Sequence, residues 1–274
     1  MIGKTTALLA AALLLAGCGK QIAQKPHDGL RIVSTAPNTT EILYALGLSN
    51  QVVGVSRFCS YPPEVKDKPT VGGLYDPNRE MIVALQPDLV IGLKTQKELE
   101  TQLKVLGIPF LGVSHEQIND ILQSILTIGK ACGAEAEAQE LCQSLEATAS
   151  RLTVPSNDRK PNVLVCVGHD ESMSRMYIAA KNTFYDELIE RAGGVNACPE
   201  TSQKYPEISP EGLAAMNPDV VIDILPAIGK NDSKGWKPYR SVSITNDYSW
   251  IPGPRFVLLL KDFVTAIQSE NRSE

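Results

Sequence analysis

Two stretches decide how this chain is read: Glu80–Ile91, EMIVALQPDLVI, and Glu211–Ile222, EGLAAMNPDVVI. They align without a gap, pairing Glu80 with Glu211, Ala84 with Ala215, Pro87 with Pro218, Asp88 with Asp219, Val90 with Val221 and Ile91 with Ile222. Each spells the same local structure. An acidic residue opens a short helix at its positive end, a proline marks the exit, and an apolar β-branched run follows as a buried strand. A second pair recurs in the same order: Thr40–Gly47 (TEILYALG) resembles Asp186–Gly193 (DELIERAG), each after a strand-like run. The repetition predicts two related α/β lobes; two copies are too few for a solenoid array.

The N-terminus reads as an address. Residues 1–18, MIGKTTALLAAALLLAGC, carry one lysine, then an apolar run from Ala7 to Ala16 that is too short to span a bilayer and has the shape of a secretory segment. Leu15-Ala16-Gly17-Cys18 resembles a bacterial lipobox, so Cys18 is expected to take the lipid and anchor the exported chain to the membrane of the cell envelope. Residues 19–29 are polar, without periodicity, and read as a tether. The net charge of −5 gives no basic excess for phosphate backbones, which argues against nucleic acid. Five cysteines remain after Cys18, in no Cys-x-x-Cys spacing, and the odd number leaves at least one thiol free.

The mature chain alternates strand and helix. Strands are expected at Arg31–Thr35, Val52–Val55, Leu89–Leu93 and Pro109–Val113, and helices up to Leu46, near Glu98–Leu106 and over Gln117–Ala131. Thr39 or Thr40 is expected to cap the first helix, which Gly47 stops. This is the pattern of a parallel sheet covered by helices. From Ala134 to Leu152 helix formers run almost without a breaker, enough to carry the chain from one lobe to the other. The expected organisation is a first α/β lobe at 30–133, a bridging helix at 134–154 and a second α/β lobe at 155–274. The fold class is thus two Rossmann-like α/β lobes joined by one long backbone helix, with a ligand cleft between them.

The order RIVSTAPNTTEILYALG, VVGVSRFCSYPPEV, VGGLYDPNREMIVALQPDLVIG and, before the last helix, WIPGPR resembles the helical-backbone substrate-binding proteins of metal-chelate ABC importers, and within them the vitamin B12-binding proteins. The resemblance covers nearly the whole mature chain. It implies capture of a metal chelate, a corrinoid first, with ferric siderophore or haem as the alternative. It also implies delivery to a permease dimer with its ATPase, and neither a resident cofactor nor enzyme activity. In that family one surface glutamate per lobe docks onto permease arginines, which carries over to Glu80 and Glu211. Cleft residues expected from the loops after strands are Pro37, Asn38, Phe58, Tyr61, Leu74, Tyr75, His169, Tyr205, Asp247 and Trp250. Aromatic walls with a few polar groups suit a large flat ligand. The chain departs from the family in holding only two tryptophans, Trp236 and Trp250.

Metal and catalytic readings are weaker. The three histidines, His27, His115 and His169, are scattered, and His115 merely precedes a helix. Cys59 beside Phe58 and Tyr61 would meet a metal only as a thiolate. An exported hydrolase would need a Gly-x-Ser-x-Gly elbow, a His-Glu-x-x-His motif or a phosphate loop, and the sequence has none of them. Arg255 is expected to order the start of the last helix.

Overall fold

The computed structural model describes residues 29–155, 160–224 and 236–269. The secretory segment, Cys18 and the tether up to residue 28 lie outside the described residues.

In the first lobe, β1 (Ile32–Ser34), β2 (Val52–Val55), β3 (Leu89–Leu93) and β4 (Phe110–Val113) form a parallel sheet in the order β2-β1-β3-β4. The apolar runs that mark β1 and β3 follow from burial on both faces, as parallel sheets require. The covering helices are α1 (Pro37–Ala45), α2 (Arg79–Ala84), α3 (Lys97–Val105) and α4 (Ile118–Cys132). The start of α1 differs from expectation. Ala36 is the N-cap, Pro37 is the first helical residue, and the hydroxyls of Thr39 and Thr40 turn back onto the Ala36 carbonyl at 2.9 and 3.2 Å. Proline's fixed φ suits the first helical position, so the helix begins earlier than the threonines suggest.

The second lobe contains β5 (Asn162–His169), β6 (Met176–Ile178), α6 (Phe184–Arg191), β7 (Val195–Asn196), β8 (Glu207–Ile208), α7 (Pro210–Met216), β9 (Val220–Ile224), β10 (Ser241–Ile244) and α8 (Phe256–Gln268). Its sheet runs β10-β9-β5-β6-β8, with β7 also paired to β5. Strands β10, β9, β5 and β7 are parallel, but β6 and β8 are antiparallel, which the alternating pattern does not foretell. The segment 170–175 joining β5 to β6 is too short for a crossover, so β6 must fold back as a hairpin partner.

The repeated segments do the same work in both lobes. The backbone N–H of Arg31 donates to Asp88 Oδ2, and that of Asn162 to Asp219 Oδ2; both bonds are 2.8 Å and span 57 residues. In return, the N–H groups of Asp88 and Asp219 donate to the carbonyls of Arg31 and Asn162, also at 2.8 Å. The aligned aspartates therefore lock the register in which β3 pairs with β1 (Leu89 opposite Ile32) and β9 with β5 (Val220 opposite Val163). Asn78 and Ser209 cap α2 and α7 in equivalent ways, each accepting from the N–H three residues on.

Helix α5 (Glu135–Leu152) crosses between the lobes. Gly133, with φ of 71°, reverses the chain after α4, and α5 packs against α4 on one side and α8 on the other. Its buried stripe is Ala138, Cys142, Leu145 and Ala149. Beyond its end the Val154 N–H donates to the Arg191 carbonyl at the end of α6, 2.8 Å away. One continuous apolar core runs from Ile32 through α4 and α5 to Ile267. Among the described residues no helix is long and apolar enough to cross a membrane.

Candidate functional site

In an α/β sheet the loops at the carboxyl ends of the strands are free to build a site. Six residues expected at the cleft meet there: Pro37, Asn38, Phe58, Leu74, Tyr75 and Trp250 surround a pocket of about 340 Å³, together with Ala36, Leu93, His115, Ile251 and Pro252. Pro37 and Asn38 open α1, and Phe58 leaves β2. Trp250 ends a short 3-10 turn, Asp247–Trp250, ahead of α8, so the pocket lies between the lobes. Trp250, Phe58 and above all Tyr75, which is 92% exposed, extend an aromatic wall toward solvent.

The wall that carries Leu74 and Tyr75 is held in place. Gly72 has φ of 89°, and a Cβ there would sit 2.6 Å from the Asp76 carbonyl oxygen, so the turn requires glycine. The Gln96 amide donates to the Leu74 carbonyl at 2.9 Å, while its oxygen accepts from the Leu93 N–H at 2.9 Å and the Thr35 hydroxyl at 2.8 Å. Arg57 pairs with Asp76 at 2.6 Å and lies 5.3 Å from the centroid of the Phe58 ring.

Four expected site residues sit elsewhere. The ring of Tyr61 faces the Arg255 guanidinium, 3.9 Å from its centroid, and lines a second, larger recess of about 790 Å³ beside α1 and α5. That recess carries the carboxylates of Glu41, Glu64 and Asp67 and follows the far half of α1, away from the strand ends. Asp247 accepts from Arg255 Nη1 at 2.7 Å. Arg255 also donates to both oxygens of the buried Glu41, at 2.9 and 2.5 Å, so its chief role is a tie between the lobes rather than only the start of α8. His169 Nε2 lies 3.3 Å from Asp223 Oδ2, and its Nδ1 is 2.9 Å from the Asp170 carbonyl oxygen. Burial pushes the Asp223 carboxyl above its usual range despite the Trp236 indole N–H donating to it at 2.8 Å. Tyr205 lies near Glu116, and burial reinforced by that charge pushes its phenol up to about 12.

The thiolate reading of Cys59 fails. Its thiol is buried against the Thr40 hydroxyl at 3.1 Å, and burial pushes its pKa up to about 11, leaving it protonated. His115 is the pocket residue that the sequence reading passed over. It sits two residues beyond β4, at the carboxyl end of a parallel strand, and that placement is the signal that marks it. Burial lowers its pKa, so the ring is neutral.

Glu80 and Glu211 are both exposed, each the second residue of its helix. Helices α2 and α7 each lead directly into a parallel strand, β3 and β9, so their first turns lie toward the carboxyl ends of those strands. The Ser209 hydroxyl holds the Glu211 carboxyl below its usual range.

Comparison with known proteins agrees with this architecture. An ABC transporter substrate-binding lipoprotein of Bacillus subtilis, itself uncharacterized, is 29% identical over 99% of this chain and 98% of its own. The vitamin B12-binding protein of Vibrio parahaemolyticus is 27% identical over 80% of each chain. The solved structure of a periplasmic haem-binding protein from Roseiflexus sp. RS-1 superposes with a TM-score of 0.73 at 27% identity, covering 88% of this chain and all of that one. The profile of the periplasmic binding proteins matches residues 32–223, from β1 into β9, and the chain belongs to that family.

Proposed function

We propose that this protein captures a corrinoid, cobalamin or a close analogue, for an ABC importer. The observation that carries the reading is that none of the described residues lining the pocket between the lobes is an Asp, Glu, Lys or Arg. Haem and the acidic ferric siderophores bring anionic groups that call for cations. Arg57, Arg255 and Lys204 are each already engaged by a carboxylate, those of Asp76, Glu41 with Asp247, and Glu116. A corrin, apolar on its face and rimmed by amides, suits Phe58, Leu74, Tyr75 and Trp250 as walls. The start of α1 adds donors for amide carbonyls, because no side chain caps it. The likeness to vitamin B12-binding relatives supports the same choice. A haem reading would lean on Tyr61 or His169 as axial ligands, and neither lines this pocket. Titration calorimetry with cyanocobalamin, ferric haem and a ferric hydroxamate tests this: the corrinoid is expected to bind tightest, and Trp250→Ala to weaken it by about tenfold, the equivalent of 1.4 kcal/mol. Tight haem or hydroxamate binding with no corrinoid signal would move the assignment to the alternative.

Delivery follows from the same reading. Glu80 and Glu211 present one carboxylate per lobe to a two-fold permease, and Cys18 carries the lipid that keeps the protein at the membrane. In cells, Glu80→Ala with Glu211→Ala should lower corrinoid uptake while the purified variant binds ligand as before, and Cys18→Ser should release the protein from the membrane fraction. Normal uptake by the double variant would remove the docking role.

A further inference from the structure

We propose that a polar pocket beyond the Leu74–Tyr75 wall holds the one anionic arm of a complete corrinoid, its phosphodiester, against Arg79. This deepens the corrinoid reading of the cleft and rests on it. A complete corrinoid is several times larger than the pocket of about 340 Å³ between the lobes, so part of it has to lie outside. That pocket shares Leu74 and Tyr75 with a polar pocket of about 400 Å³, whereas the larger recess beside α1 and α5 shares no residue with it. The wall between the two is fixed, because Gln96, which lines the polar pocket, donates to the Leu74 carbonyl at 2.9 Å. A ring resting on one side of the wall can therefore send an arm over Tyr75 to the other.

The charges lining the polar pocket leave one cation over. Asp76 is held by Arg57 at 2.6 Å, and Lys97 pairs with Glu100 at 2.9 Å. Glu98 accepts from the Gln102 amide at 2.9 Å and stands in the first turn of α3, where the positive helix end offsets its charge. Arg79, the first residue of α2, is exposed, lines the pocket, and has no partner for its guanidinium among the described residues. A guanidinium grips a phosphate through paired N–H donors, and such charge-assisted bonds are stronger than neutral ones. The Thr95 hydroxyl lines the same pocket and adds a donor. The corrin rim carries uncharged amides and the nucleotide arm a single negative charge, so one free arginine matches it. A haem brings two propionates and would leave one of them without a cation here.

Titration calorimetry of the purified protein distinguishes the possibilities with three probes. Cyanocobalamin carries the nucleotide arm, dicyanocobinamide keeps the corrin but lacks the arm, and ferric haem offers propionates instead. Cyanocobalamin is expected to bind about tenfold tighter than dicyanocobinamide at low salt, and the gap should narrow as salt screens the exposed arginine. Arg79→Gln should remove most of the gap by weakening cyanocobalamin, while dicyanocobinamide binds as before. Arg79→Lys, which keeps the charge but loses the planar fork, should fall between the two. Equal binding of both corrinoids by the wild type, or a gap that Arg79→Gln leaves intact, would each overturn the inference and leave corrinoid capture standing. Tight haem binding that Arg79→Gln weakens would give the arginine to a propionate and overturn the phosphodiester assignment. Failure of both corrinoids to bind would overturn the corrinoid reading and this arm site with it.

Discussion

Asp223 shows how a single residue couples packing to pH. It lies on β9 at 2% exposure, where its Oδ2 accepts the Trp236 indole proton and faces His169. Asp223→Ala would strand the fully buried Trp236 N–H, a loss of about 1–3 kcal/mol. Asp223→Asn keeps an acceptor and should cost less. Because burial raises the folded-state pKa above 3.8, the folded protein holds this proton more tightly than the unfolded chain. The group's contribution is thus fully present below pH 3.8 and is lost as pH rises through the folded pKa. Urea melts at pH 4 and pH 7 should show Asp223→Asn gaining on the wild type as pH rises; parallel curves would show that the carboxyl does not titrate in that window. The cleft depends on its single residues to different degrees. Pro37, Asn38 and Trp250 follow from a rule about strand ends, whereas His115 was passed over because its place beyond β4 weighed less than the helix it precedes.

At the scale of elements, long apolar runs told their structure well and short ones did not. Strands β2 and β3 fall at the expected residues because Val52–Val55 and Leu89–Leu93 are buried runs bounded by turn signals. Strands β7 and β8 hold two residues each and β6 three, too few for any periodicity to register. The start of α1 was misplaced by a competing rule, threonine as a cap against proline as an opener, and proline won. The Leu74–Tyr75 wall was readable as a loop, but not the element that fixes it. Gln96 gathers Thr35 from the end of β1, Leu93 from the end of β3 and Leu74 from the wall itself. A Cβ on Gly92 would come within 2.3 Å of Gln96 Oε1, so the glycine in β3 is what leaves room for that anchor. No local pattern joins these residues, because they meet only once the sheet has formed.

The whole molecule is held as one body by ties that no segment of sequence announces. Arg255 and Glu41 are 214 residues apart, yet they form a two-pronged ion pair with side chains 11% and 3% exposed. Asp247 completes the arginine's partners and Tyr61 covers its face. Elsewhere along the cleft the Ile118 N–H donates to Glu187 at 2.9 Å, and Lys204 pairs with Glu116. With α5 and a continuous core behind them, these ties join the lobes at several points. Of the ties, the Arg255 pair is the one buried deeply enough to matter for folding. Removing one partner leaves an uncompensated charge in the interior, which costs about 3–5 kcal/mol, whereas replacing both with apolar groups of similar size is often neutral. Arg255→Met alone should therefore lower stability by that amount in denaturant melts, and adding Glu41→Leu should recover most of it. The double variant should fold with Asp247 released from its anchor, so hydrogen exchange in the Asp247–Trp250 turn should quicken even as global stability returns. If the single variant costs under about 1 kcal/mol, the value of a surface pair, the tie is a solvated contact and the lobes are joined by α5 and the core alone.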